Sequence, residues 1–217
     1  MHRIMNKNKV NPRLVAYIEK NILPHYELND SAHNMTHIRD VFARAFDIAD
    51  TLPDINYDIV YTLVSFHDIG YHVDQRRHEE FGADTLLNDK ELKKFFSDDE
   101  MQMMARELRV HDTLIPDREA RNIYGRILCS ADLDNDLDMV LKRLYYFRRS
   151  YFKDMSVDDI VDSGYKFLGM IVAPDSRGHK DKMYFDIPAY EQFRREVGVL
   201  LADKDAFRAK FLLVNGL

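Results

Sequence analysis

The segment Asp58-Ile59-Val60-Tyr61-Thr62-Leu63-Val64-Ser65-Phe66-His67-Asp68-Ile69-Gly70 is a strongly apolar run that ends in a histidine and a carboxylate. Ile59, Val60, Leu63, Val64 and Phe66 predict a central, buried helix, and Gly70 is expected to stop it because glycine tolerates a left-handed C-terminal cap. His67 and Asp68 then fall in its last turn. Burying that pair is costly unless a positive charge sits between them, and a divalent cation supplies one.

Outward from this run the pattern is helix after helix. Eight Gly and six Pro in 217 residues leave long stretches without breakers, and apolar residues recur at three- and four-residue steps. Helices are expected over 14–23, closed by Pro24, and over 36–49, ended by Pro53. Further ones are expected over 76–87, over 97–111 with Ser97 and Glu100 as a capping box, and over about 118–133, after Pro116. More follow over 139–152 and 157–172, and a last one opens at Pro188 with a break near Asp203. No strand stands out. The stretch 174–187 is the longest irregular one, and it carries Arg177, His179, Lys180 and Lys182, with Tyr184 and Phe185, as a loop able to close over a ligand. The fold class expected is all-α, one domain over 1–217, with chemistry-bearing residues concentrated in 31–136 and C-terminal helices over 139–217.

Composition narrows the function. Apolar residues make up 46% and charged residues 31%, as in an ordinary folded protein, and the net charge of −6 argues against a long nucleic acid as the main ligand. The single cysteine, Cys129, lies in an apolar stretch and reads as core, so no intrachain disulfide is expected and the compartment reads as reducing, hence cytoplasmic. Neither a signal peptide nor an apolar run of membrane-spanning length is apparent.

Three further places complete the picture. In Ala32-His33-Asn34-Met35-Thr36-His37 two histidines four apart stand at the mouth of a helix, where either can cap or bind. In Ser130-Ala131-Asp132-Leu133-Asp134 another carboxylate closes an apolar segment. Imidazole nitrogen and carboxylate oxygen together suit manganese, iron, zinc, magnesium or a related divalent ion.

A histidine (His37), a distant His-Asp doublet (His67-Asp68) and a later aspartate (Asp132), in this order and with these flanks, resemble the HD-domain superfamily of metal-dependent phosphohydrolases over about residues 31–136. The resemblance implies a helical bundle in which His37, His67, Asp68 and Asp132 bind a first metal. In branches with two metals, His78 and His111 would complete a second site, with Asp68 bridging; in a one-metal enzyme both would instead contact phosphate or water. The implied substrate is a small phosphate ester, phosphodiester or nucleotide, attacked by metal-activated water, with Asp68 at the reacting centre.

Around this set other residues carry expectations. Glu79, beside His78, is favoured over Glu80 as a proton-transfer group. Arg76, Arg77, Lys142 and Arg143 are candidate phosphate contacts, although charged runs on helices are more often solvated faces. His33 reads as a supporting or capping residue, and His2, His25, His72 and His179 as surface or pocket-edge groups. No Walker-type glycine loop and no serine or cysteine nucleophile motif occurs. Rival readings are a di-iron oxygenase using the same six ligands and a nucleotide-sensing module without turnover. The sequence fixes no oligomeric state.

Overall fold

The computed structural model describes residues 7–30, 32–111, 121–173 and 183–217. Among these residues every regular element is helical, as expected. The chain parts into two compact units, residues 1–132 and 133–217.

The first unit holds α1 (Pro12–Asn21), α2 (Met35–Ala49), α3 (Tyr57–Phe66), α4 (His78–Asn88), α5 (Asp98–Arg109) and α6 (Ile123–Ala131), with short 3-10 turns at Leu23–Glu27 and Leu92–Lys94. Helix α3 is the hub: every residue from Ile59 to Phe66 is buried, which is why its sequence is apolar all round rather than striped. Helices α2 and α6 pack on it and on each other, while α4 lies along α5.

The ends of these helices follow local chemistry. Pro12 opens α1 behind Asn11, where a missing N–H costs nothing. Asn34 caps α2 by accepting from the Thr36 and His37 amides, and Ser97 with Glu100 forms the expected capping box of α5.

Two details differ from the sequence reading. Helix α3 stops at Phe66, so His67 is its C-terminal cap and Asp68 begins the turn beyond. Nor does Gly70 end the helix in a left-handed conformation, since the only described glycine with positive φ is Gly216. Gly70 is needed for space instead: a Cβ there would lie 2.5 Å from the Phe81 ring. Gly82 has a similar reason, because a Cβ on it would come 2.4 Å from the Phe66 carbonyl oxygen. These two glycines let α4 press against the end of α3 that carries His67 and Asp68.

The second unit holds α7 (Leu137–Tyr151), α8 (Val157–Val172), α9 (Pro188–Leu201) and α10 (Lys204–Asn215). Its core is built from Leu141, Ile160, Leu168, Phe193, Val197, Phe207 and Phe211. Asp203 splits the last two helices at the anticipated place, its carboxylate accepting from the Asp205 and Ala206 amides. Residues 112–120, which include the start of the helix expected from Arg118, and residues 174–182, with Arg177, His179, Lys180 and Lys182, lie outside the described residues. No described helix is long and apolar enough to cross a membrane.

Candidate metal centre

Five segments of the first unit deliver six side chains to one buried place. Helix α2 contributes His37 from its first turn, the end of α3 contributes His67 and Asp68, the first residue of α4 is His78, His111 follows α5, and Asp132 caps α6. His37, His67, Asp68, His78 and His111 are all buried, and Asp132 is the accessible member at 24%.

The six form two groups, His37 with His67 and Asp132, and Asp68 with His78 and His111. In the first, His37 Nε2 lies 3.1 Å from Asp132 Oδ1 and 3.4 Å from His67 Nε2, and His67 Nε2 lies 3.7 Å from Asp132 Oδ1. Asp68 joins both groups. Its Oδ2 is 3.5 Å from His37 Nε2 and 3.3 Å from His67 Nε2, while its Oδ1 is 3.4 Å from His78 Nε2 and 3.7 Å from His111 Nε2.

Three of the histidines share one supporting device. His67 Nδ1 donates to the Val64 carbonyl at 2.7 Å, His78 Nδ1 to that of Gln75 at 2.8 Å, and His111 Nδ1 to that of Leu108 at 2.8 Å. In each case the acceptor is the main-chain oxygen three residues earlier. A carbonyl can only accept, so the proton sits on Nδ1 and the Nε2 lone pair faces the carboxylates, the form in which histidine binds a metal.

Lone pairs of neutral imidazoles aimed at carboxylate oxygens and at one another repel unless a cation or a proton lies between them. The spacings fit the cation. Two donors each about 2.1 Å from a shared ion stand about 3.0 Å apart along an octahedral edge and about 3.4 Å apart along a tetrahedral one. These buried His/Asp groups could therefore hold a metal ion.

The electrostatics point the same way. Burial opposes charge on Asp68, yet the adjacent His67 and the contacts from His111 and His37 outweigh it and hold the carboxyl well below the usual range. Asp132 behaves likewise: withdrawal from water works against its charge, and His37 and His67 prevail. For His67, burial disfavours the cation, but Asp68 and Asp132 push its pKa well above the ordinary value. Without a metal the cluster thus takes up a proton as substitute counter-charge.

A second set of residues fixes the ligands, and the sequence reading missed it. The Tyr26 hydroxyl, fully buried, accepts from the Asp68 amide at 3.2 Å and lies 3.4 Å from His67 Nδ1. Burial first, and then the charge of Asp68, keep that phenol neutral. Asn29 donates to the carbonyls of Asp68 and His33 at 2.9 and 3.0 Å and accepts from the His72 amide at 3.0 Å. Arg44 of α2 donates to the Ala131 carbonyl, tying α2 to the residue before Asp132. His33 does not cap α2. Asp30 holds its Nδ1 at 2.8 Å, and its ring stacks on Tyr71 with centroids 3.6 Å apart.

The remaining expected site residues are less concentrated. Glu79 is half-buried in the first turn of α4, next to His78, while Glu80 is turned to Arg109 at 2.9 Å. Arg76 and Arg77 are exposed, and Arg77 lines a surface groove with Asp74, Glu80 and Asp84. Lys142 and Arg143 belong to the second unit, where Lys142 is exposed and Arg143 is paired with Asp134. Cys129 is buried, as expected, with its Sγ 3.2 Å from the His111 carbonyl. No protein-family model, curated protein or solved structure matches this chain.

Proposed function

We propose that the chain is a metal-dependent phosphohydrolase of the HD type, acting on a small phosphate ester, phosphodiester or nucleotide through activated water. The observation that carries this reading is the position of Asp68, whose two carboxylate oxygens face two different histidine groups, Oδ2 toward His37 and His67 and Oδ1 toward His78 and His111. That is the disposition of a carboxylate shared by two cations. Manganese, iron, magnesium or a related divalent ion would supply Lewis acidity toward a phosphoryl oxygen and acidify water.

The chain's own residues have separable tasks. His37, His67, Asp68 and Asp132 would hold a first cation, and His78 and His111 with Asp68 would hold a second. Tyr26 and Asn29 hold the amide and the carbonyl of Asp68, and so fix the main chain from which its carboxylate projects. Asp132, the ligand with the greatest exposure, is the side from which a substrate would approach. Glu79, in the first turn of α4 next to His78 in sequence, is the proposed proton-transfer group, and Arg76 and Arg77, just before His78, are the proposed phosphate contacts.

The test is metal analysis of chain purified without chelator, followed by a hydrolysis panel of phosphate esters, nucleotides and pyrophosphate-containing nucleotides. The expected result is up to two ions per chain and metal-dependent release of phosphate or nucleoside phosphate, both lowered in His67→Ala. No turnover on the whole panel, with metal content unchanged in His67→Ala, overturns the proposal. The same carboxylate-bridged arrangement also suits two irons activating dioxygen; two irons per chain, redox-sensitive spectra and no phosphate release would decide for that second reading.

A further inference from the structure

The first unit contains a cavity that the metal chemistry does not use. It measures about 560 Å³ and is walled by α1, the Leu23–Glu27 turn, α2 and Tyr61 of α3. Cavities of about 300 to 1,000 Å³ are the usual size for small-molecule sites. At about 100° per residue, His37 falls roughly opposite Arg39 and Phe42 on α2. The cavity, which these two residues line, therefore stands across that helix from the metal centre.

Its walls have a definite chemistry. Leu23, Pro24, Ile38 and Phe42 make an apolar body. Tyr61 also lines it, fully buried, its ring stacked on Phe42 with centroids 4.8 Å apart. Among the described residues the Tyr61 hydroxyl has no hydrogen-bond partner, an expensive state for a buried polar atom. Burial and then the charge of Glu19, another lining residue, push its pKa up, so the phenol is neutral and able to donate or accept.

The rim supplies charge of both signs. Glu19 is paired with Lys7. Glu27 and Arg39, both exposed and both lining the cavity, make no ion pair with any described residue. One uncommitted anion and one uncommitted cation thus stand at the mouth of an apolar pocket that also offers a buried hydroxyl.

We propose that this cavity is a second ligand site, separate from the metal centre, for a small zwitterion with an apolar, hydrogen-bonding body, of the class of a free aromatic amino acid. The ammonium group meets Glu27, the carboxylate meets Arg39, and a polar atom on the aromatic body satisfies Tyr61.

The probe is L-tryptophan, titrated into the full chain by calorimetry, with and without chelator, beside tryptamine (no carboxylate) and indole-3-propionate (no ammonium). The expected result is saturable binding of tryptophan that chelator leaves unchanged. Tyr61→Phe, which removes only the hydroxyl, weakens it about 5-fold. Arg39→Gln weakens tryptophan and indole-3-propionate but not tryptamine, and Glu27→Gln weakens tryptophan and tryptamine but not indole-3-propionate. Ala43→Phe fills the cavity and abolishes binding of all three; should circular dichroism show that variant unfolded, Leu23→Trp replaces it. No saturable binding of tryptophan to the wild-type chain overturns the proposal, as does binding that survives the filled cavity or vanishes with chelator. Because none of these measurements involves turnover, and the expected binding is the same with and without chelator, their outcome is independent of the phosphohydrolase reading.

Discussion

Both units bury apolar side chains, but among the described residues only the first also buries charged and polar ones. In residues 133–217 the interior is Leu141, Ile160, Leu168, Phe193, Phe207 and Phe211, and the charges stay outside as ion pairs, Lys204 with Asp162 at 2.9 Å, Arg208 with Asp158 and Lys210 with Asp138 at 2.6 Å each. In residues 1–132 the interior includes four histidines and an aspartate that no lysine or arginine neutralises within ion-pair distance among the described residues. The described interior of the second unit is thus apolar, with no buried charge to be compensated. The first retains groups that burial penalises, which is sustainable only if something fills the space between them.

The sharpest way to break this contrast is to remove the shared carboxylate. Asp68→Ala is expected to empty both halves of the cluster and abolish hydrolysis, read by metal content per chain and product release. Retention of a full metal complement would show that the two groups do not share Asp68. The corresponding cut in the second unit is Phe211→Ala, expected to lower the stability of that unit by about 3–5 kcal/mol through the lost burial and the cavity left behind. Urea unfolding followed by circular dichroism measures it, and metal content at saturating metal should stay at the wild-type level.

A smaller effect is expected from the supporting residues. Asn29→Ala leaves every ligand in place but frees the Asp68 backbone, and should weaken metal binding by about 10- to 100-fold, the usual range for a residue that orients a ligand. Metal titration with a competing chelator checks it. An unchanged affinity would mean that Tyr26 and the end of α3 suffice to hold Asp68.

Proton competition comes next. His67 has a raised pKa in the metal-free cluster, so metal must displace a proton, and affinity should fall by about tenfold per pH unit per displaced proton as pH drops below that value. The sign for the metal-free fold is the reverse. His67 contributes stability that is complete below its ordinary 6.5 and is lost as pH rises through the raised value. Asp68 and Asp132 contribute stability that is complete above their ordinary 3.8 and is lost as pH falls through the lowered values. Chelator-treated protein should therefore unfold at the highest urea concentration between these limits, and added metal should move the optimum toward higher pH. A urea midpoint indifferent to pH in chelator would sink this account. Least of all should matter the exposed pair in the second unit: Lys204→Ala is expected to leave the thermal midpoint within experimental scatter.

Much of the fold and of the candidate site was legible because it depends on short-range pattern. The apolar run of α3, the capping box at Ser97 and Glu100 and the break at Asp203 each follow from residues within one or two turns of each other. His67, Asp68 and Asp132 were legible for a different reason, since a charged or polar group at the end of an apolar segment is expensive wherever the segment packs, whereas His37, His78 and His111 were expected as ligands through the resemblance of the motif order. Tyr26 and Asn29 gave no such signal. They lie in or beside a five-residue 3-10 turn, and what matters about them is a contact with a residue about forty positions away. Gly70 was misread for the same cause, as its spacing suggested a cap while its use is to admit the Phe81 ring.

The amino-acid sequence by itself determined that this chain is helical and which side chains would be too costly to bury alone, because helix periodicity and desolvation act locally. Only the tertiary structure decided that those side chains meet, that Asp68 faces both histidine groups, and that a cavity opens on the far face of α2. These are distances between residues remote in the chain. They are set by how α2, α3, α4, α5 and α6 pack, a matter of shape that no local pattern encodes.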